Sequence, residues 1–190
     1  MTRTSALSVI CRSLHWLVAV GFISVSLIGL YMVQMQYWAW YDLHKSIGIL
    51  LFILILCRVG WRLKRGWPPP LSAGESAAEM RSQRLAKLMH GVLLFGTVLM
   101  PVSGLLYSGL SGHGFGVFGW ILLAENHDPL QPGQVVAHSV FWSNVSQQVH
   151  WVAGYLLLGA ISLHIAAALK HHYADKDATL RRMLTGKTEP

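Results

Sequence analysis

Charge is what this chain has least of. Asp and Glu together number 8 in 190 residues, and all charged types make up 12% of the sequence while hydrophobic types make up 53%. An ordinary soluble domain carries about 25% charged residues, so this balance and the long apolar runs indicate an integral membrane protein. Cysteine is nearly absent. Cys11 and Cys57 form no CxxC or CxxCH pattern, which excludes covalently attached c-type haem and a thiolate zinc site. Both are expected near the cytoplasmic side, where a disulfide is not expected. A small-residue cleavage pattern is missing after the first apolar run, which contains His15 and continues past a signal-peptide core, so that run is expected to stay as a membrane span. Basic residues are missing from one long stretch: positions 109–147 hold no Lys or Arg. The net charge of +7 therefore reflects where the cations sit, beside span ends, and does not point to nucleic acid.

Four stretches are long and apolar enough to cross a bilayer of about 30 Å. They cover about 14–33, 44–62, 88–108 and 149–170. An aromatic link at 34–42 (QMQYWAWYD) suits a membrane interface, and the Pro-rich, charged 64–87 region reads as a polar connection. Pro101 lies inside the third span, where neighbouring helices accommodate a kink. Residues 109–147 form a long Gly-rich outer loop whose structure periodicity does not define, and 171–190 form a charged tail. Of the fifteen Lys and Arg residues only Lys45 falls outside the N-terminus, the 58–87 region and the C-terminal region. That bias puts both termini in the cytoplasm. The expectation is an all-α membrane protein: one domain over 1–190, a four-helix bundle with both termini cytoplasmic.

Histidines then pair by depth. His150 and His164 lie fourteen residues apart on the last span, about 21 Å along the axis and roughly 40° apart in azimuth. His44 opens the second span at the outer end and matches His150; His15 lies at the inner end of the first span and matches His164. Two pairs at two levels, each drawn from two helices, form an arrangement that clamps a flat macrocycle through two axial imidazoles. A single histidine near a helix end is more often a hydrogen-bonded or interfacial residue; four that pair by depth are not easily read that way. Zinc is the weaker reading, because two-imidazole pairs without Cys or carboxylate partners fall short of its usual set.

Other residues attach to this frame. Gly48 and Gly154 each follow an outer-level histidine by four residues, where a missing side chain lets a ring approach. Arg58 follows His44 by fourteen residues, on nearly the same face but at the inner level, and suits a propionate carboxylate. His90 has no depth partner of its own and is a second-sphere, quinone-contacting or interfacial group; His171 is a quinone contact or a solvated helix-end histidine. His113, His127 and His138 read as surface residues, and Lys45 is the only outer cation available to an anion.

The SLHW around His15, LHKSIGILL around His44, MHGVLL around His90, PVSGL after Met100 and LHIAAALKHHYADKDATLRRM near the C-terminus resemble the bacterial cytochrome b561 family. The resemblance spans nearly the whole chain apart from 109–147 and 66–80. It implies a four-helix bundle with two non-covalent b haems, held by His15 with His164 and by His44 with His150. It also implies exchange of single electrons with ubiquinone, with superoxide as the outer donor in the superoxide oxidase-like members.

The expected partners are membrane lipid, ubiquinone, and a small outer-side donor or a periplasmic redox protein, with a homodimer allowed although no span carries GxxxG: Gly21 and Gly29 lie eight apart. Competing readings are an electron-transfer subunit without catalysis of its own, docking a partner through 109–147, and a haem-free transporter or scaffold in which the histidines relay protons or pack.

Overall fold

The computed structural model describes residues 7–66 and 76–186. Four helices are long and apolar enough to cross a membrane: α1 (Val9–Met35), α2 (Tyr41–Arg65), α3 (Ala77–Leu110) and α4 (Val140–Tyr173). Between 11 and 22% of each helix's most apolar window is buried inside the protein. The remaining apolar surface, such as Leu17, Val20, Ile53 and Leu156, faces outward as lipid-exposed helices require.

Three of the four long helices start at a capping serine. Ser8 accepts a hydrogen bond from the Cys11 amide at the head of α1, and Ser139 does the same for Trp142 at the head of α4. Ser76 and Glu79 close a reciprocal capping box at the head of α3. That box starts the helix about three turns before the expected span, so residues 77–87 of the expected polar connection are helical. Residues 64 and 65 of that connection belong to α2, and 67–75 lie outside the described residues.

The core joins α1, α2 and α4 through Val18, Phe22, Leu51, Ile55 and Leu157. α3 packs closely on α4 because position 96 is glycine: any Cβ there would collide with Leu157. The aromatic link between α1 and α2 contains a short 3-10 turn, Trp38–Trp40, with Trp40 stacked on Tyr31 at 4.8 Å.

Two antiparallel hairpins occupy the connection from α3 to α4: β1 (Phe115–Val117) with β2 (Trp120–Leu123), and β3 (His127–Asp128) with β4 (Gln131–Val135). The first turns at Phe118 and Gly119, both with positive φ, the backbone of a tight hairpin turn. Its tip reaches across the bundle to α2, where the Phe118 amide donates to the buried Ser46 hydroxyl at 2.9 Å.

At the opposite end α5 (Thr179–Leu184) folds back on α1, with Arg12 donating to the Leu184 carbonyl and the Trp16 indole to that of Met183. Both ends of the described chain therefore lie at one end of the bundle, called here the termini side; the other is the hairpin side.

Candidate functional site

The four spans bring the expected histidines face to face. On the hairpin side, His44 of α2 and His150 of α4 lie 6.2 Å apart between ring centroids, their planes at 83°. On the termini side, His15 of α1 and His164 of α4 lie 6.5 Å apart at 69°. Two opposed imidazoles each bonded to one metal at about 2 Å place their ring centroids about 6 Å apart. Both gaps fit that separation.

The hairpin-side pair is built by close helix approach. Gly104 of α3 lies under His150, where a Cβ would sit 3.0 Å from Cε1, and Gly29 of α1 lies under His44, where a Cβ would sit 3.1 Å from Cε1. Nδ1 of His150 is 2.9 Å from the Met100 carbonyl and 3.2 Å from the Ser103 hydroxyl. Ser103 itself donates to that same carbonyl, so the carbonyl is the acceptor for Nδ1–H. This fixes the proton on Nδ1 and leaves the Nε2 lone pair for a metal, the usual arrangement of a ligating histidine. Nδ1 of His44 is buried and makes no hydrogen bond of normal geometry among the described residues, with the Val25 backbone the polar group set against this ring. A Cβ at Gly48 would meet nothing within 4 Å, while one at Gly154 would touch the Met100 methyl at 3.5 Å. Glycines 29 and 104 are therefore the ones that admit the imidazoles, and spacing along a single helix could not reveal them, because each serves a ring from another helix.

The termini-side group holds more. His90 of α3 lies 5.4 Å from His164, so three imidazoles from three helices share this level. Trp16 sets its edge against His15 at 5.3 Å. Arg58 stands at the expected level, and its Nη2 lies 3.1 Å from Nδ1 of His15. A guanidinium only donates, so in this arrangement Nδ1 of His15 accepts and its proton sits on Nε2. To ligate through Nε2 the ring would carry the proton on Nδ1 instead, with Arg58 turned to another acceptor such as a propionate carboxylate.

The sequence model of the family described as Prokaryotic cytochrome b561 matches residues 6–186 of the chain. The chain belongs to the prokaryotic cytochrome b561 family. It is 34% identical over 182 residues to Cytochrome b561 homolog 2 of Escherichia coli (strain K12), covering 93% of this chain and 89% of that protein. It is 28% identical over 186 residues to Probable superoxide oxidase CybB of Yersinia pestis, covering 92% and 93% respectively. As a cytochrome b561, the chain is a haem-binding, electron-transporting membrane protein, and the four-helix bundle described above is the architecture that carries this chemistry.

The remaining sequence candidates fall outside these two groups. His171 is held at the end of α4 by Asp175 at 3.0 Å and Asp177 at 2.9 Å. His113 is paired with Ser111 and His127 with Glu125, both on the exposed hairpin side, and His138 is exposed. Lys45 is taken up by Asp42 at 3.0 Å and by the Tyr41 ring at 4.7 Å, which weakens it as a lure for anions.

Proposed function

We propose that this cytochrome b561 holds two b haems, one between His44 and His150 and one between His15 and His164, and moves single electrons between a donor on the hairpin side and ubiquinone. The observation that carries the reading is the pair of imidazole gaps, 6.2 and 6.5 Å, at two levels of one bundle. The His90–His164 gap of 5.4 Å is shorter, which favours His15 as the opposing ligand and leaves His90 beside the site.

Bound haem supplies one-electron chemistry at the porphyrin edge. The chain's part is to hold, orient and insulate. His150 is locked in one tautomer by the Met100 carbonyl, and Gly29 and Gly104 let the helices close on the imidazoles. Were each iron held by two of these histidines, no coordination position would be open, and a small donor would give its electron without binding metal. Superoxide is the donor suggested by the Yersinia relative's name.

A groove of about 840 Å³ on α1, lined by Val9, Arg12, Trp16, Leu17, Val20 and Leu184, includes the Trp16 ring that sets its edge against His15, and suits an isoprenoid quinone entering from the lipid. Cytoplasmic termini are the orientation that the Lys and Arg distribution supports, and the prokaryotic family suits a place in the bacterial inner membrane.

The test is a pyridine haemochrome assay on detergent-purified protein. Two b haems per chain are expected in the parent, and one in each of the His15→Ala, His44→Ala, His150→Ala and His164→Ala variants. A colourless parent from haem-sufficient cells, or variants that keep both haems, would sink the reading.

A further inference from the structure

The connection between α3 and α4 divides into two hairpins of opposite character. The second, β3 with β4, carries His127, Asp128, Gln131 and Gln134. The first, 115–123, reads FGVFGWILL and has no polar side-chain atom except the Trp120 indole N–H. A hairpin standing in water turns one apolar face to the protein and polar residues to the solvent. This one has no polar residues to turn.

Both faces of β2 are open. β1 is half-buried and packs against α2, which leaves β2 on the outside. All four β2 residues are exposed: Trp120 82%, Ile121 76%, Leu122 61% and Leu123 40%. Successive strand side chains point to opposite faces, so Trp120 and Leu122 make one apolar face and Ile121 and Leu123 the other. A docked protein lies against one side of a two-stranded ribbon, whereas a fluid apolar medium covers both.

Position along the bundle identifies that medium. The Phe118 amide at the tip donates to the Ser46 hydroxyl at 2.9 Å. Ser46 lies five residues beyond Tyr41, the first residue of α2, or about 7.5 Å along the helix axis. Just ahead of that helix stand Tyr37, Trp38 and Trp40, all exposed, residue types that mark a membrane interface. The tip is therefore level with α2 below its aromatic head, where the lipid-facing flank continues through Leu50 and Ile53. A backbone amide at that depth has little water to bond, and the buried Ser46 supplies its acceptor.

We propose that the first hairpin is an interfacial anchor: phospholipid of the hairpin-side leaflet covers both faces of β2, with Phe118 among the upper acyl segments and the second hairpin standing in water. Lipid is the occupant because the hairpin's apolar surface continues the lipid-facing surface of α2. Residues 109–124 also hold no Asp, Glu, Lys or Arg with which to pair a protein partner or an anionic headgroup. Binding is burial among acyl chains, so a zwitterionic lipid is sufficient. The inference needs only the membrane-spanning bundle and stands or falls separately from the haem reading.

Spin-label accessibility in phosphatidylcholine vesicles tests it. The full chain with Cys11→Ala and Cys57→Ala, which remove its two free thiols, takes one label at a time through Ile121→Cys, Leu122→Cys, Ile53→Cys or Leu130→Cys. Ile53 on α2 is the lipid standard, and Leu130, 90% exposed between β3 and β4, is the water standard. Labels at 121 and 122 should both collide with oxygen more than with a water-soluble nickel chelate, as at 53, and the preference should invert at 130. Either label behaving like the one at 130 would overturn the proposal. So would shielding of either from both reagents, because a second copy of the chain would then be covering that face.

A single substitution with both native cysteines kept guards against a misfolded background. Trp120→Phe removes one exposed ring among eight tryptophans. The fluorescence difference between parent and variant should be lost in vesicles whose phosphatidylcholine is brominated high on the acyl chain, and should resist aqueous iodide. A difference signal that iodide quenches and brominated lipid does not would place Trp120 in water and sink the anchor.

Discussion

Gly104 lies so close beneath His150 that a methyl group on its α-carbon would sit 3.0 Å from the imidazole Cε1. The ring cannot retreat freely, because the Met100 carbonyl one turn back on the same helix holds its Nδ1 at 2.9 Å. Gly104→Val should therefore push His150 out of line with His44. The expected outcome is one haem per chain instead of two by pyridine haemochrome, with the termini-side couple still present in a redox titration.

Packing between α3 and α4 hangs on a second glycine. Any side chain at position 96 collides with Leu157, one of the core residues. Gly96→Val should destabilise the bundle by about 1–3 kcal/mol, the usual range for an overpacked core, seen as a lower thermal midpoint in detergent. Adding Leu157→Ala should restore part of the loss, whereas each change alone should be worse than the pair.

A hydrogen bond ties the first hairpin to α2. Ser46 is 3% exposed, and its hydroxyl accepts from the Phe118 amide at 2.9 Å. Ser46→Ala strands that amide at a cost of about 1–3 kcal/mol. Hydrogen exchange should accelerate at Phe118 and its strand neighbours while the α1–α2 core stays protected.

On the termini side, the hydrogen bond from Lys170, with the nearby charges of Lys170 and His171, holds the Asp175 carboxyl below its ordinary value. A carboxylate with a lowered folded-state pKa stabilises the fold above the ordinary range near pH ~3.9 and loses that contribution as pH falls through the lower value. The turn between α4 and α5 should loosen in acid as this carboxyl takes up its proton. Hydrogen exchange across 170–184 as a function of pH checks this, and Asp175→Asn should remove the acid-dependent part.

Much of this molecule could be read along the chain. Span positions follow from local apolar runs, and the fixed rise of a helix converts the fourteen residues between His150 and His164 into two depths. With the direction of each span given by the Lys and Arg bias, His15 and His44 could be placed at those depths before any tertiary contact was known. The structure brings those same rings together. The helical start of α3 was also written in the chain, since Ser76 and Glu79 have the spacing of a capping box, but the Pro-rich context pointed to a loop.

Azimuth is what the chain could not supply. Depth along a helix is set by that helix alone, whereas the face it turns to a neighbour is set by how four helices pack together. His90 could be given a level and no partner; the packing of α3 on α4 brings it to 5.4 Å from His164. Gly29 and Gly104 could not be told from other small residues until the rings of α2 and α4 came to rest on them. Arg58 has the face and level its spacing gives, yet only the meeting of α1 and α2 decides that its guanidinium ends on Nδ1 of His15. The sequence by itself determined the spans, their order and the two levels of histidine, because these depend on hydrophobicity and a constant rise per residue. The tertiary structure decided what stands behind each imidazole, because that depends on side chains from helices far apart in the chain.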